Sequence, residues 1–324
     1  MSANPVRIAF IGAGDVSALH GEAVRRCPGA ELAGLWNRTR SRGEKRAAEL
    51  GCRLYRSAEE LVADPAVDAV FVLTNLETHL EYGLMALEAG KHVLVEKPVG
   101  VTVGQIERLA AAAAARGRVC MPGHNYIYEE SLARAADLVR RGDLGRVVAV
   151  YVLYNIHHPE SVAARFPGVI RQILTHHAYI LLYLAGPATC LAATRATLHY
   201  ERIPQEDIAM VNLRMASGAL AHLSASFAAD DHSADPWTVV VKVIGTAGST
   251  RYSYRDWVQL KPGTAHSQTY SAYQGSIDNE VRYFAERCVR QGEAPLSTLA
   301  DAAAAQRIVE AAELSAAENR FVEL

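Results

Sequence analysis

Lys97 stands directly after the apolar run Val93-Leu94-Val95, in the segment Glu96-Lys97-Pro98. The run is short, β-branched and introduced by Gly90, a residue type common just past a helix end. It reads as a buried strand with Lys97 at its tip. Ligands of parallel α/β sheets bind outside the carboxyl ends of the strands. A lysine held half out of water has its ammonium form disfavoured, so its pKa falls toward neutrality and it can move a proton.

A second cluster carries different chemistry. Gly12-Ala13-Gly14-Asp15-Val16-Ser17 follows an apolar strand and opens a helix. Two glycines let the backbone turn tightly and approach a pyrophosphate, which rests on the helix N-terminus. Ser17 replaces the third glycine of the usual fingerprint and is still small enough for close packing of helix on strand. The next strand ends at Trp36-Asn37-Arg38. An acid at that place grips the ribose of NAD, and an arginine accepts the 2′-phosphate of NADP. Asn37 is no acid, and Arg38, Arg40 and Arg42 cluster there, which favours NADP over NAD. A solvated cationic helix start gives the same pattern, and Asn37 can still bond a plain ribose hydroxyl.

These residues need strands and helices in alternation. Val6–Ile11, Ala30–Trp36, Val67–Leu73, Val93–Val95 and Val119–Pro122 read as strands. Helices near Val16–Arg26, Ser41–Leu50, Glu77–Ala89 and Thr102–Arg116 fall between them. Ser57 with Glu60 and Thr102 with Gln105 have capping-box spacing. This alternation predicts a doubly wound parallel sheet of Rossmann type over residues 1–125. After the helix Glu129–Arg141 the pattern changes to longer alternating strands: Val147–Tyr154, Ala192–Tyr200, Ala209–Met215, Ala219–Phe227 and Trp237–Gly245. Residues 126–324 are therefore expected to form an α+β domain with a large open, mostly antiparallel sheet. The closing helices, Ile277–Arg290 and Leu299–Ala317, can return to the first domain.

The chain has 324 residues, enough for two cores, and a net charge of −2. That balance shows no basic surface for nucleic acid or anionic membrane. The longest apolar stretch, Ala178 to Ala185, is too short to span a bilayer. Strand Val6–Ile11 begins too early to leave room for a signal peptide. The five cysteines are scattered and unpaired in spacing, as in a reducing cytosol. The pairs His157-His158 and His176-His177 lack the converging acid or thiolate partners of a metal site, so no metal is expected.

Gly12-x-Gly14, Thr74 with His79, Gly90-Lys91-His92-Val93-Leu94-Val95-Glu96-Lys97-Pro98 and Gly123-His124-Asn125-Tyr126 together resemble the glucose–fructose oxidoreductase / inositol dehydrogenase / MocA family. The resemblance spans nearly the whole chain, and Glu-Lys-Pro is its most specific part. It implies an NAD(P)-binding Rossmann domain and a second domain whose open sheet covers the nicotinamide. It implies contact of Lys97 with both substrate and cofactor, and a cis Lys97–Pro98 bond. It places Thr74, Asn75, His79, Glu96 and Asn125 with the glycine turn, Asn37 and Arg38 among the cofactor-binding positions. It also implies a histidine at His176, able to act as acid or base. The family's flanking aspartates are replaced by Gln172 and Tyr179, and its Thr-Pro-Asn reads Thr74-Asn75-Leu76. Gln172 is expected to orient His176; Tyr179 reads as a proton donor or a packed aromatic. Tyr126, Tyr128, His157 and Arg165 are substrate-cleft candidates, the two tyrosines equally readable as packing.

The expected protein is thus an NAD(P)-dependent oxidoreductase for a sugar, nucleotide-linked sugar or cyclitol. A net non-redox enzyme that oxidises transiently, and a dinucleotide-binding protein that has lost catalysis, are the alternatives. The open sheet predicts a homodimer or homotetramer.

Overall fold

The computed structural model describes residues 4–228, 237–253 and 265–324. The chain divides into two compact units, Met1–Tyr128 with Gln274–Ala303 and Glu129–Tyr273 with Ala304–Leu324.

The first unit is built on strands β1 (Val6–Ile11), β2 (Ala30–Trp36), β3 (Arg53–Leu54), β4 (Ala69–Val72), β5 (His92–Glu96) and β6 (Cys120–Gly123). All pair in parallel, in the order β3-β2-β1-β4-β5-β6. Helices α1 (Asp15–Arg26), α2 (Arg40–Leu50), α3 (Ala58–Ala63), α4 (His79–Glu88) and α5 (Val103–Arg116) form the crossovers. A parallel sheet covered on both faces needs apolar side chains pointing both ways. That is why Ile8 to Ile11, all of β4 and Val93 to Val95 are buried without alternation. The core continues into Ile106, Leu109, Leu299, Ala302 and Ala303.

Both capping signals form in part. The Ser57 and Thr102 hydroxyls accept from the amides of Glu60 and Gln105. The Glu60 and Gln105 side chains then reach one residue further back than in a capping box, to the amides of Arg56 and Val101.

The second unit holds α6 (Glu130–Arg140), β7 (Val147–Ile156), α7 (Glu160–Ala163), α8 (Thr175–Ala185), β8 (Ala188–Ala196), β9 (Ile208–Met215), β10 (Leu220–Ser226), β11 (Trp237–Gly245) and β12 (Ser249–Ser253). Helices α9 (Ala265–Arg282) and α10 (Leu299–Glu318) and the short β13 (Val322–Glu323) complete the chain. The seven-stranded sheet runs β12-β11-β7-β10-β9-β8-β13. Its pairings are antiparallel except β7 with β10, which makes it the mostly antiparallel sheet expected. On β9, Ala209, Val211, Leu213 and Met215 are buried while Met210, Asn212 and Arg214 are exposed. Helix α8 packs on the sheet beside β7.

Strand β8 begins and ends four residues earlier than the expected Ala192–Tyr200. The cause is Asp207. Its fully buried carboxylate collects the backbone amides of Leu198, His199 and Tyr200 and pulls them out of the ladder. The expected helix Ile277–Arg290 is α9, which starts at Ala265 and widens into π-helical turns over Tyr283–Val289.

One buried group in α8 lacks compensation. His177 is fully buried beside Tyr154, and neither ring nitrogen has a hydrogen-bond partner. Burial, with the nearby His222 adding to it, pushes its pKa down to about 3. The folded ring is neutral, whereas the unfolded ring binds a proton below the ordinary histidine pKa of about 6.5. Stability is therefore lost as pH falls from there toward 3, at up to about 1.4 kcal/mol per pH unit. His177→Leu should flatten this acid limb, as read from urea midpoints at neutral and mildly acidic pH. An unchanged slope would show that His177 is protonated in the native protein.

Candidate active site

Register fixes one edge of the first sheet. Trp36 pairs with Ile11, Ile11 with Val72, Val72 with Val95 and Val95 with Pro122. The chain leaving each strand therefore starts from one row. Asn37, Gly12, Leu73 and Glu96 are the next residues along it, at the carboxyl edge where such sheets bind ligands.

Gly12 leaves β1 with φ +118. A Cβ there would run into the Leu73 carbonyl, so the turn demands glycine. Gly14, in ordinary extended backbone, has no side-chain cap over α1, and a Cβ on it would meet nothing within 4 Å. The N-terminus of α1 is thus open, with its amides unclaimed by a cap, as a bound pyrophosphate requires. Asp15 is exposed and Val16 half-buried at this opening, while Ser17 is buried and bonds the Gly14 carbonyl at 2.5 Å. The Asn37 amide serves the turn itself. Its oxygen accepts from Ala13 N at 3.0 Å and its nitrogen donates to Thr39 O at 2.8 Å. Arg38 is exposed, and Arg40 pairs with Glu44. Arg46, which the sequence reading missed, donates to the Gly14 carbonyl at 3.3 Å. Only a known face of α2 could have revealed it.

At the end of β4, Thr74 accepts from the Thr78 hydroxyl, and Asn75 is exposed. His79 is buried with Nδ1 2.8 Å from Pro98 O and Nε2 3.0 Å from Thr74 O. Burial lowers its pKa more than the two carbonyls raise it. A neutral ring donates to only one of these two carbonyls, so His79 sits between the Thr74 turn and the Lys97–Pro98 turn and bonds one of them. The Lys97–Pro98 bond is cis, as the resemblance implied.

Lys97 is half-buried. Burial pushes its pKa down, and the Glu96 carboxylate offsets this only in part. For Glu96, burial raises the pKa, but the His20 hydrogen bond and the charges of His20 and Lys97 outweigh it, and the net shift is down. His20 Nε2 lies 2.9 Å from Glu96 Oε1, and Glu96 Oε2 accepts from Lys97 N at 2.9 Å. An ionised carboxylate only accepts, so Nε2 of His20 is the donor. His20 was absent from the sequence reading; nothing in its local pattern marks it.

Past β6 the burial is deep. His124 bonds Ser297 at 2.7 Å and has its pKa pushed down to about 3 by burial. Asn125 donates to Ser276 at 2.7 Å. Tyr126 and Tyr128 are buried inside the first unit, and the Tyr128 hydroxyl bonds Met121 Sδ.

In the second unit, His176 is buried and stacks near Tyr154. Its Nδ1 lies 2.8 Å from the Tyr179 hydroxyl, so Tyr179 is a hydrogen-bonding partner and not merely a packed ring. The i, i+3 spacing was legible in sequence. Gln172 is half-buried, and its backbone N–H donates to Gly168 O. His157 stacks edge-on against His199 and its Nδ1 has no partner, while Arg165 is exposed. Among the described residues, no three His, Cys, Asp or Glu converge as a metal site, and no helix is long and apolar enough to cross a membrane.

An open glycine turn and a lysine of lowered pKa, set on one sheet edge, define a nicotinamide-dinucleotide oxidoreductase. Residues 6–124 match the oxidoreductase family with an NAD-binding Rossmann fold, and residues 132–251 match the GFO/IDH/MocA C-terminal domain. The chain belongs to the GFO/IDH/MocA oxidoreductases. It is 31% identical to a 1,5-anhydro-D-fructose reductase of Ensifer adhaerens over 68% of this chain and 69% of the relative. It is 28% identical to a D-apiose dehydrogenase of Paraburkholderia graminis over 98% of this chain and 89% of that one. Among solved structures, GenD2 from gentamicin A biosynthesis, in complex with NAD, is 25% identical with a TM-score of 0.85 over 100% of this chain and 97% of that one.

The two glycines separate fold from binding. Gly12→Ala should destabilise the protein by about 1–3 kcal/mol through strain at this turn. Gly14→Ala should leave the melting temperature unchanged and weaken binding of a reduced dinucleotide, read by fluorescence titration. A Gly14→Ala variant that binds like wild type would remove this turn from the cofactor site.

Proposed function

We propose that the protein moves a hydride between nicotinamide and a carbinol or keto carbon of a sugar, nucleotide-linked sugar or cyclitol, with Lys97 and His176 handling the hydroxyl proton. The observation that carries this reading is Lys97, its pKa lowered by burial, on the same sheet edge as the Gly12 turn. Relatives named for 1,5-anhydro-D-fructose, D-apiose and scyllo-inositol support the polyhydroxylated substrate class.

The turn Gly12, Ala13, Gly14, Asp15 and Val16 would hold the pyrophosphate, Asn37 and Arg38 the adenosine ribose, and Thr74, Asn75, Glu96 and Asn125 the nicotinamide end. A bound dinucleotide supplies the hydride acceptor or donor. During oxidation a neutral Lys97 amine takes the substrate O–H proton, and during reduction its ammonium returns one. Oxidation should therefore rise with pH through the lowered Lys97 pKa. His176 is the second proton carrier, steadied by Tyr179, and His157, Arg165 and Gln172 are polar candidates for the substrate hydroxyls. Arg38 and the lack of an acid at Asn37 favour NADP over NAD. Five cysteines without a disulfide suit a reducing cytoplasm.

Purified protein should show dinucleotide-dependent change in reduced-nicotinamide absorbance on a panel of sugars and cyclitols. Lys97→Met should lower kcat by about 10²- to 10⁴-fold at unchanged melting temperature. Arg38→Ala should lower kcat/KM with NADP and spare NAD. A silent panel would sink the substrate class, and a fully active Lys97→Met would remove Lys97 from the mechanism.

The same reading extends to assembly. The outer face of the second sheet exposes Tyr151 at 44%, Leu220 at 60% and Phe321 at 70% around an apolar hollow. Such a face favours a second copy of the chain. Light scattering at micromolar concentration should give a dimer or tetramer, and Leu220→Asp with Phe321→Asp should give monomers. A monomeric wild type would contradict it.

A further inference from the structure

Glu280 lies in α9, in the part of that helix belonging to the first unit. It is fully buried, and neither carboxyl oxygen has a hydrogen-bond partner among the described residues. A bare carboxylate in such a place is prohibitively costly without a cation or donors. The charge of Glu96, of the same sign, reinforces the effect of burial. Glu280 is thus held as the neutral acid, an O–H donor and a carbonyl acceptor at once.

A third such atom belongs to His20, which spends Nε2 on Glu96 while its buried Nδ1 has no partner among the described residues. The two residues share their surroundings. Phe284, one turn beyond Glu280, packs edge-on against Phe71 at 5.3 Å, and Phe71 packs edge-on against His20 at 5.5 Å. Gln274 of the same helix donates to the carbonyl of Leu19, next to His20. Three buried polar atoms with complementary needs could share one bridging water, which takes two to four polar partners. When His20 carries a single proton, that proton is on Nε2 toward Glu96 and Nδ1 is an acceptor.

We infer that Glu280 is a positioning residue: as a neutral acid it bonds His20 Nδ1 through a buried water, steadies the ring whose Nε2–H donates to Glu96, and so fixes the Glu96–Lys97 turn. Its effect on turnover rests on the role proposed for Lys97; the bond to His20 does not. The infrared spectrum of wild type at neutral pH should show a protonated carboxyl carbonyl band that Glu280→Gln lacks. Nitrogen-15 NMR of the unliganded protein should find His20 protonated at Nε2 in wild type and in Glu280→Gln, whose amide also donates and accepts. Glu280→Met should shift the His20 Nδ1 signal toward that of an unbonded imine nitrogen and, where turnover is measurable, lower kcat by about tenfold, the scale for loss of an outer orienting partner. Glu280→Gln should keep near-wild-type kcat. Absence of the protonated band, a wild-type His20 protonated at Nδ1, or unchanged His20 signals in Glu280→Met would each overturn the inference. These spectroscopic readouts decide it even if no substrate is turned over.

Discussion

The hydrogen-bonded register of the parallel sheet is the constraint from which the candidate site follows. A parallel ladder fixes how far each strand runs before it ends. Here one row passes through Trp36, Ile11, Val72, Val95 and Pro122. Every chemically interesting turn of the first unit begins one residue past that row. Because both faces of these strands are buried, the apolar runs alone do not penalise a one-residue slip, and the alignment is held by specific contacts past the row, such as Gly12 against the Leu73 carbonyl.

Buried polar groups then stiffen what register has aligned. His79 lies between the carbonyls of Thr74 and Pro98, at 3.0 and 2.8 Å, and donates to one of them. At the opposite edge, the buried ammonium of Lys91 donates to the carbonyls of Asp64 and Val67 at 2.8 and 2.7 Å. Asp207 plays the corresponding part in the second unit with three backbone amides. Each of these interactions is made in a setting where an unmade bond is costly, so each favours a single arrangement of the backbone over its neighbours.

How much of this was legible in the sequence depended on the range of the causes. The first sheet was readable because burial on both faces writes continuous apolar runs, and because Gly12 marks a backbone that no side chain tolerates. The family resemblance added the cis bond and His176. The shortened β8 was not readable, since its cause, Asp207, lies beyond the strand and acts on amides, which carry no sequence signal. The parallel pairing of β7 with β10 joins segments far apart in the chain, and alternation gives the face of a strand but not its neighbour. Lys97 was found because a lysine after an apolar run is unusual. Arg46 and Glu280 were missed because a charged residue on a helix reads as solvated by default.

The Tyr179 hydroxyl on His176 has a consequence for the tautomer. A carboxylate in its place would only accept, and would keep the proton on Nδ1. A phenol both donates and accepts, so it rotates to match either tautomer. The imidazole can then present Nε2 bare or protonated while the pair stays uncharged. Buried as it is, the ring is spared the desolvation of an imidazolium–carboxylate couple. With a phenol where the family pattern implied an acid, the Nδ1 contact does not by itself select a tautomer of His176.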